Sequence, residues 1–172
     1  MLVKPFSIVI FIYLILWNAN AQNISFTALT SKDGLSSNTV NAILKDGYGL
    51  MWFATDDGLN KFDGAAFTVY RQDRRDSNTL RSNRVTTLYE DRSGNLWVGT
   101  DGGGLSIYNR KKDSFRNLDI PGVNKAVNMI SGDAFGTIWI AHYGGLTMVD
   151  TEKGKTSRLL LIQGAPTNYR QI

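Results

Sequence analysis

A single histidine, His142, and no cysteine stand in this 172-residue chain, which sharply limits the chemistry it can perform. Without cysteine there are no disulfides, no thiol catalysis and no cysteine-based zinc site. One imidazole, at a turn position filled by threonine elsewhere in the chain, assembles neither a Ser-His-Asp triad nor a multi-histidine metal site, and it reads as a polar turn residue. Asp56, Asp57 and Asp63 lack the spacing of a calcium loop and are explained by turn formation. Gly102-Gly103-Gly104 precedes neither a Lys-Ser/Thr pair nor a helix, so it is a hairpin corner and not a phosphate loop. The carboxylates fall in turns, and sequence brings no two of them together as an acid-base pair. No catalytic residue, cofactor or metal is expected. The net charge of +4 collects at Arg71 to Arg84 and Arg110 to Lys112. Asp73, Asp76, Asp91 and Asp113 interrupt these stretches, so they read as solvated loops and not as a nucleic-acid surface.

The elements that must position these residues repeat. Asp46 to Leu59 (DGYGLMWFATDDGL), Asp91 to Leu105 (DRSGNLWVGTDGGGL) and Asp133 to Leu146 (DAFGTIWIAHYGGL) share an Asp, a Gly three residues on, a Trp three beyond that and a closing Gly-Leu. The recurring positions are thus Asp46, Asp91 and Asp133; Gly49, Gly94 and Gly136; and Trp52, Trp97 and Trp139. The tryptophans lie 45 and 42 residues apart, the period of one propeller blade. With 17 glycines against 3 prolines, tight turns abound and an all-β chain is favoured.

Each repeat divides into four short apolar runs: 40–45, 50–55, 59–62 and 67–70; then 85–90, 95–100, 105–109 and 114–118; then 127–131, 137–142, 146–149 and 156–160. Turns this short imply antiparallel meanders. In the second strand of each repeat both faces are apolar. Leu50, Trp52 and Ala54 oppose Met51 and Phe53, and Ile138 and Ile140 oppose Trp139. A sheet with one wet face alternates more cleanly, whereas blades in a ring are covered on both sides. The tryptophans are expected to fill the space between successive blades.

The expected organisation is a signal peptide over 1–21, an N-terminal closing strand and linker over 22–36, blade 1 over 37–76, blade 2 over 77–121, blade 3 over 122–162, and the start of a truncated fourth blade over 163–172. The leader has Lys4, an apolar run from Phe6 to Trp17 and the small-x-small site Ala19-Asn20-Ala21, and the run is short for a spanning helix. No Cys follows it to carry a lipid. Ile24 to Leu29 parallels the outer strands at 67–70 and 115–118, so it is expected to complete the final blade of a closed ring. Three blades do not close a ring, and the chain reads as a fragment.

The pattern DxxGxLWxGT-DGGL, preceded by SNxV and an apolar strand, resembles the two-component regulator propeller repeat over residues 24 to 162. SxDGLSSNTVNAILKD, WFATDDGLNKFDG and LWVGTDGGGL carry the likeness. His142-Tyr143 in place of Thr-Asp, and Ala54 and Ala141 in place of Gly99, depart from it. WD repeats place Asp after the Trp, and the Asp-box of sialidase-like propellers sets Asp two residues before Gly instead of three. The resemblance implies a non-catalytic periplasmic sensor propeller of a hybrid two-component histidine kinase. It further implies an oligosaccharide ligand, a homodimeric parent and a membrane helix only in later parts. The alternative is an extracytoplasmic propeller enzyme of glycosidase or lyase type.

Overall fold

The computed structural model describes residues 25–121, 123, 125–151 and 155–159. The expected leader and truncated fourth blade lie outside the described residues. Twelve strands form three antiparallel four-stranded sheets, each a simple meander. Blade 1 holds β1 (Val40–Lys45), β2 (Met51–Thr55), β3 (Gly58–Phe62) and β4 (Phe67–Tyr70). Blade 2 holds β5 (Val85–Glu90), β6 (Leu96–Thr100), β7 (Gly104–Asn109) and β8 (Ser114–Leu118). Blade 3 holds β9 (Val127–Gly132), β10 (Thr137–His142), β11 (Gly145–Asp150) and β12 (Lys155–Leu159).

The expected strands agree with these to within a residue or two at each end. The segment preceding blade 1 differs. Ser25 to Leu29 form no strand, and Phe26 is 90% exposed. A strand exists only through its partner, and none of the three described sheets pairs with this segment. A short 3-10 turn, Ser31–Asp33, follows it, closed by a reciprocal cap between Thr30 and Asp33.

The inner strand of every blade carries a register shift after its first valine, at Val40, Val85 and Val127. The extra residue re-aims the strand, so that Val85 and Leu88, three apart, both enter the layer facing blade 1. Between blades 1 and 2 lie Trp52, Ala54 and Leu59 from one side, and Leu96, Val98 and Phe115 from the other. Between blades 2 and 3 lie Trp97, Leu105 and Ile107 against Val127, Ile138 and Ile140. Blade 2 is therefore buried on both faces, with Leu96 and Val98 turned to blade 1 and Trp97 to blade 3. This is why its second strand is fully buried and carries apolar side chains on both faces. Each such aliphatic side chain contributes about 1.5–3 kcal/mol by leaving water.

Trp52 and Trp97 are buried and Trp139 is half-buried. The face of blade 3 that bears Trp139 has no blade against it among the described residues. The opposite face of blade 1 is equally bare: Val40 and Ile43 are 37% and 59% exposed, whereas their counterparts Val85 and Leu88 are 0% and 9% exposed.

Gly99 explains one departure from the repeat. A Cβ there would lie 2.5 Å from Thr87 Cγ2 and 2.8 Å from Val127 Cγ1, because β9 of blade 3 crosses directly over β6. Ala54 occupies the equivalent place in blade 1, where its methyl group is fully buried in the core between blades 1 and 2.

Candidate functional site

The three repeated aspartates occupy the corner between the first and second strands of their blades, and each does the same work. Asp46 Oδ1 accepts from the amides of Tyr48 and Leu50 at 3.0 and 2.9 Å, and its Oδ2 accepts from Trp52 Nε1 at 2.7 Å. Asp91 repeats this with Ser93, Asn95 and Trp97 Nε1 at 2.9, 2.9 and 2.8 Å. Asp133 does so with Phe135, Thr137 and Trp139 Nε1 at 2.8, 3.0 and 3.1 Å. One carboxylate thus ties the turn and fixes the indole of the following strand. Gly49, Gly94 and Gly136 sit at φ of +87°, +78° and +81°, the left-handed corner that lets the turn close beneath the carboxylate. The constant six-residue step from Asp to Trp was the sequence signal for this latch, although sequence alone could assign the aspartates only to turns.

Around these corners the seams between blades differ. Between blades 1 and 2, Arg110 donates to Asp46 at 2.8 Å, to Glu90 at 2.9 Å and to the Gly94 carbonyl at 3.2 Å. Its guanidinium also lies over the Tyr48 ring, 4.5 Å from the centroid. Glu90 in turn accepts from the Gly47 amide at 2.7 Å. Burial pushes the Asp46 carboxyl up, but Trp52, Arg110 and the Leu50 amide together outweigh it and hold the group below its ordinary value. The seam is closed by charge pairing.

Farther out on the same seam, Lys61 lies 3.2 Å from Asp113 and against the faces of Trp52, Tyr70 and Tyr108. Tyr70 and Tyr108 both donate to Asp113. Burial pushes the Asp113 carboxyl up, and the two phenols and Lys61 more than reverse it. Burial and the adjacent carboxylate raise the Tyr70 phenol. Every group in this cluster has a partner, which makes it a clasp between blades and leaves no open cation site.

Between blades 2 and 3 the pairing is gone. Thr151 takes the place of Arg110 and donates to the Gly136 carbonyl at 2.9 Å, as Arg110 does to Gly94. Gly132 takes the place of Glu90, and the Tyr89 hydroxyl fills its side-chain space, 2.0 Å from where a Cβ would stand. A cleft of about 340 Å³ opens in consequence, lined by Tyr89, Asp91, Arg92, Asp133, Phe135 and Thr151. Two of these are the repeated aspartates.

On the opposite rim the linker between blades 1 and 2 binds the corners between the second and third strands of both blades. Arg84 pairs with Asp56 at 3.3 Å and with Asp101 at 2.8 Å, and Arg71 with Asp57 at 2.9 Å. His142 is buried at this rim. Its Nδ1 accepts from the Gly144 amide at 3.0 Å and its Nε2 lies 2.9 Å from the Thr147 hydroxyl. Thr55 and Thr100, its counterparts, donate to the carbonyls of Gly58 and Gly104 at 2.9 Å. His142 is thus the last residue of β10, bonding across its own hairpin, where a turn residue was expected. Among the described residues no group of three His, Cys, Asp or Glu side chains could hold a metal, and no helix is long and apolar enough to cross a membrane.

Comparison with known proteins places this architecture. The family described as two component regulator propeller matches residues 34–57 and 79–102, the inner strands and Asp-Trp corners of blades 1 and 2. Over 76 residues the chain is 42% identical to histidine kinase P4 of Formosa agariphila, covering 44% of this chain and 6% of that protein. The extracellular domain of a protein assigned to a hybrid two-component system of B. thetaiotaomicron superposes with a TM-score of 0.70 at 29% identity. That match covers 78% of this chain and 20% of the other. Virginiamycin B lyase of Staphylococcus aureus superposes with a TM-score of 0.59 at 13% identity, over 86% of this chain and 48% of the lyase, which shows a shared fold alone. The chain spans a small part of the length of the first two relatives.

Proposed function

We propose that the chain belongs to the two-component regulator propeller family and that its three blades form part of the exported, non-catalytic sensor region of a hybrid two-component histidine kinase that responds to an oligosaccharide. The observation that carries the reading is the 29% identical match, over 78% of this chain, to an extracellular domain of a hybrid two-component system. The apolar run and small-x-small site at the N-terminus support export. The bare faces of blades 1 and 3 support a larger ring in which these blades are neighbours of others. A stiff ring holds loops of several blades in fixed relation, so the signal would come from differential affinity for two arrangements of a dimer.

The chemistry at the blade corners supports binding over turnover. The repeated carboxylates are each engaged by their own turn and indole, and both nitrogens of the single imidazole have partners in its own hairpin. The alternative, a propeller lyase or glycosidase, would need a general acid or base that is free to meet a substrate. The test is calorimetry of the full natural protein's exported region against a panel of glycan-derived oligosaccharides, with hydrolysis followed in the same samples. Saturable binding without turnover is expected. Turnover of any sugar overturns the sensor reading.

A further inference from the structure

At the Asp-Trp corners, the seam between blades 2 and 3 lacks the whole ion pair that fills the seam between blades 1 and 2. Arg110 and Glu90 fill the first seam and neutralise one another there. Their counterparts Thr151 and Gly132 carry no charge; the Tyr89 hydroxyl fills the space at Gly132, and a cleft of about 340 Å³ lies beside it, lined by Tyr89 and Thr151. That volume is at the low end of the roughly 300–1,000 Å³ of small-molecule sites, room for one sugar ring and not for a chain. The walls offer hydrogen-bonding groups of both kinds. The Arg92 guanidinium and amide have no protein partner among the described residues, and the Tyr89 hydroxyl likewise donates to none. Thr151 has spent its proton on Gly136 and keeps its lone pairs. At the mouth the Phe135 ring is 86% exposed, a flat apolar surface beside polar walls.

We propose that the cleft between blades 2 and 3 is a binding subsite for one neutral pyranose unit, seated against Phe135 and hydrogen-bonded by Arg92 and Tyr89. A pyranose presents C–H groups on its faces and hydroxyls around its rim, which matches one aromatic wall and a ring of polar groups. Charge selects the neutral form. Asp91 and Asp133 against Arg92 give the cleft a net negative balance, which repels an anionic sugar. Both aspartates already accept three or more hydrogen bonds within their own turns, so they act as fixed acceptors and make no proton transfer to the sugar. The inference rests on the sensor reading for the ligand's class and adds its place.

Calorimetry of the full natural protein's exported region with glucose, galactose, mannose and xylose, and with glucuronate as the anionic control, tests it. Thr151→Arg restores the side chain that closes the neighbouring seam, and Phe135→Ala removes the aromatic wall. Both positions are exposed, and melting curves verify that the variants fold. At least one neutral sugar is expected to bind, glucuronate at least ten-fold more weakly, and each variant to weaken the neutral sugar ten-fold or more with an unchanged melting temperature. Binding that both variants leave intact overturns the cleft while the sensor reading stands, as does tighter binding of glucuronate. Variant-sensitive binding accompanied by hydrolysis keeps the cleft and overturns the sensor reading. Failure of the wild type to bind any of these sugars overturns the cleft as a subsite.

Discussion

Trp97 Nε1 donates to Asp91 Oδ2 across 2.8 Å, and the same bond joins Trp52 to Asp46 and Trp139 to Asp133. The indoles of Trp52 and Trp97 would otherwise bury an unpaired N–H, since each of these rings stands between two sheets. The turn's carboxylate satisfies that donor while its other oxygen ties two backbone amides. One residue therefore fixes both the hairpin corner and the position of the interblade aromatic, which is why the two types recur at a constant separation.

Asp91→Ala is expected to destabilise the protein by about 1–3 kcal/mol, because it strands the Trp97 indole N–H, 3% exposed as a residue, along with two turn amides. Asp91→Asn retains an acceptor oxygen and is expected to cost less. Urea denaturation of the three proteins measures the order, and equal stability of Ala and Asn variants would remove the indole bond from the account.

Asp46 ties stability to acid pH. Its carboxyl is held below the ordinary value of 3.8 despite burial. A depressed carboxylate contributes stability that is fully present above its unfolded pKa and is lost as pH falls through the native one. The advantage of wild type over Asp46→Asn is expected to be constant at neutral pH and to shrink below pH 3.8. Thermal melts of both proteins down the acid range check this, and a difference that stays flat contradicts it.

The tryptophans are not equivalent. Trp97→Ala opens a cavity between two packed blades and is expected to cost about 3–5 kcal/mol. Trp139 is half-buried on a face with no described blade against it. In the isolated three-blade segment, Trp139→Ala is expected to cost about half as much or less. Retention of full stability by Trp97→Ala together with loss of ligand response would reassign that ring to recognition.

The repeat, the meander and the two-faced second strand were legible because burial on both sides leaves a continuous apolar signature in Leu96, Trp97 and Val98. The seams between blades were not. Arg110, Glu90, Thr151 and Gly132 lie outside the repeated motif, and only the fold brings Arg110 to Asp46, 64 residues earlier in the chain. Ser25 to Leu29 forms no strand here although its alternation is real, because alternation states what a strand would bury, and the final blade it is expected to complete is not among the described sheets.

Gly99→Ala tests the close approach of blades 2 and 3. The added methyl meets Thr87 and the Val127 side chain well inside contact distance, and overpacking of this kind costs about 1–3 kcal/mol. Val127→Ala in the same protein is expected to recover part of that loss, which a double-mutant cycle measures as coupling. Additive effects would mean the two strands do not press on each other.

The bare sheet faces make the last prediction. Val40 and Ile43 on blade 1 are 37% and 59% exposed, yet the equivalent residues of blade 3, Val127 and Ile130, are 0% and 4% exposed beneath blade 2. On the far side, Met129 of blade 3 is 50% exposed where its counterpart Thr87 is 8% exposed. The same surface is thus covered wherever a neighbouring blade stands against it, and each bare face is shaped to receive another copy of the repeat. Produced alone, residues 22–172 are expected to self-associate through these faces, since contiguous apolar patches beyond a few hundred Å² seldom persist on soluble monomers. Sedimentation velocity over a concentration series reads the association. Ile43→Lys and Met129→Lys, each placing a charge on one bare face without touching an Asp-Trp latch, are expected to shift it toward monomer. A strictly monomeric segment at every concentration would show that the faces are not incomplete interfaces.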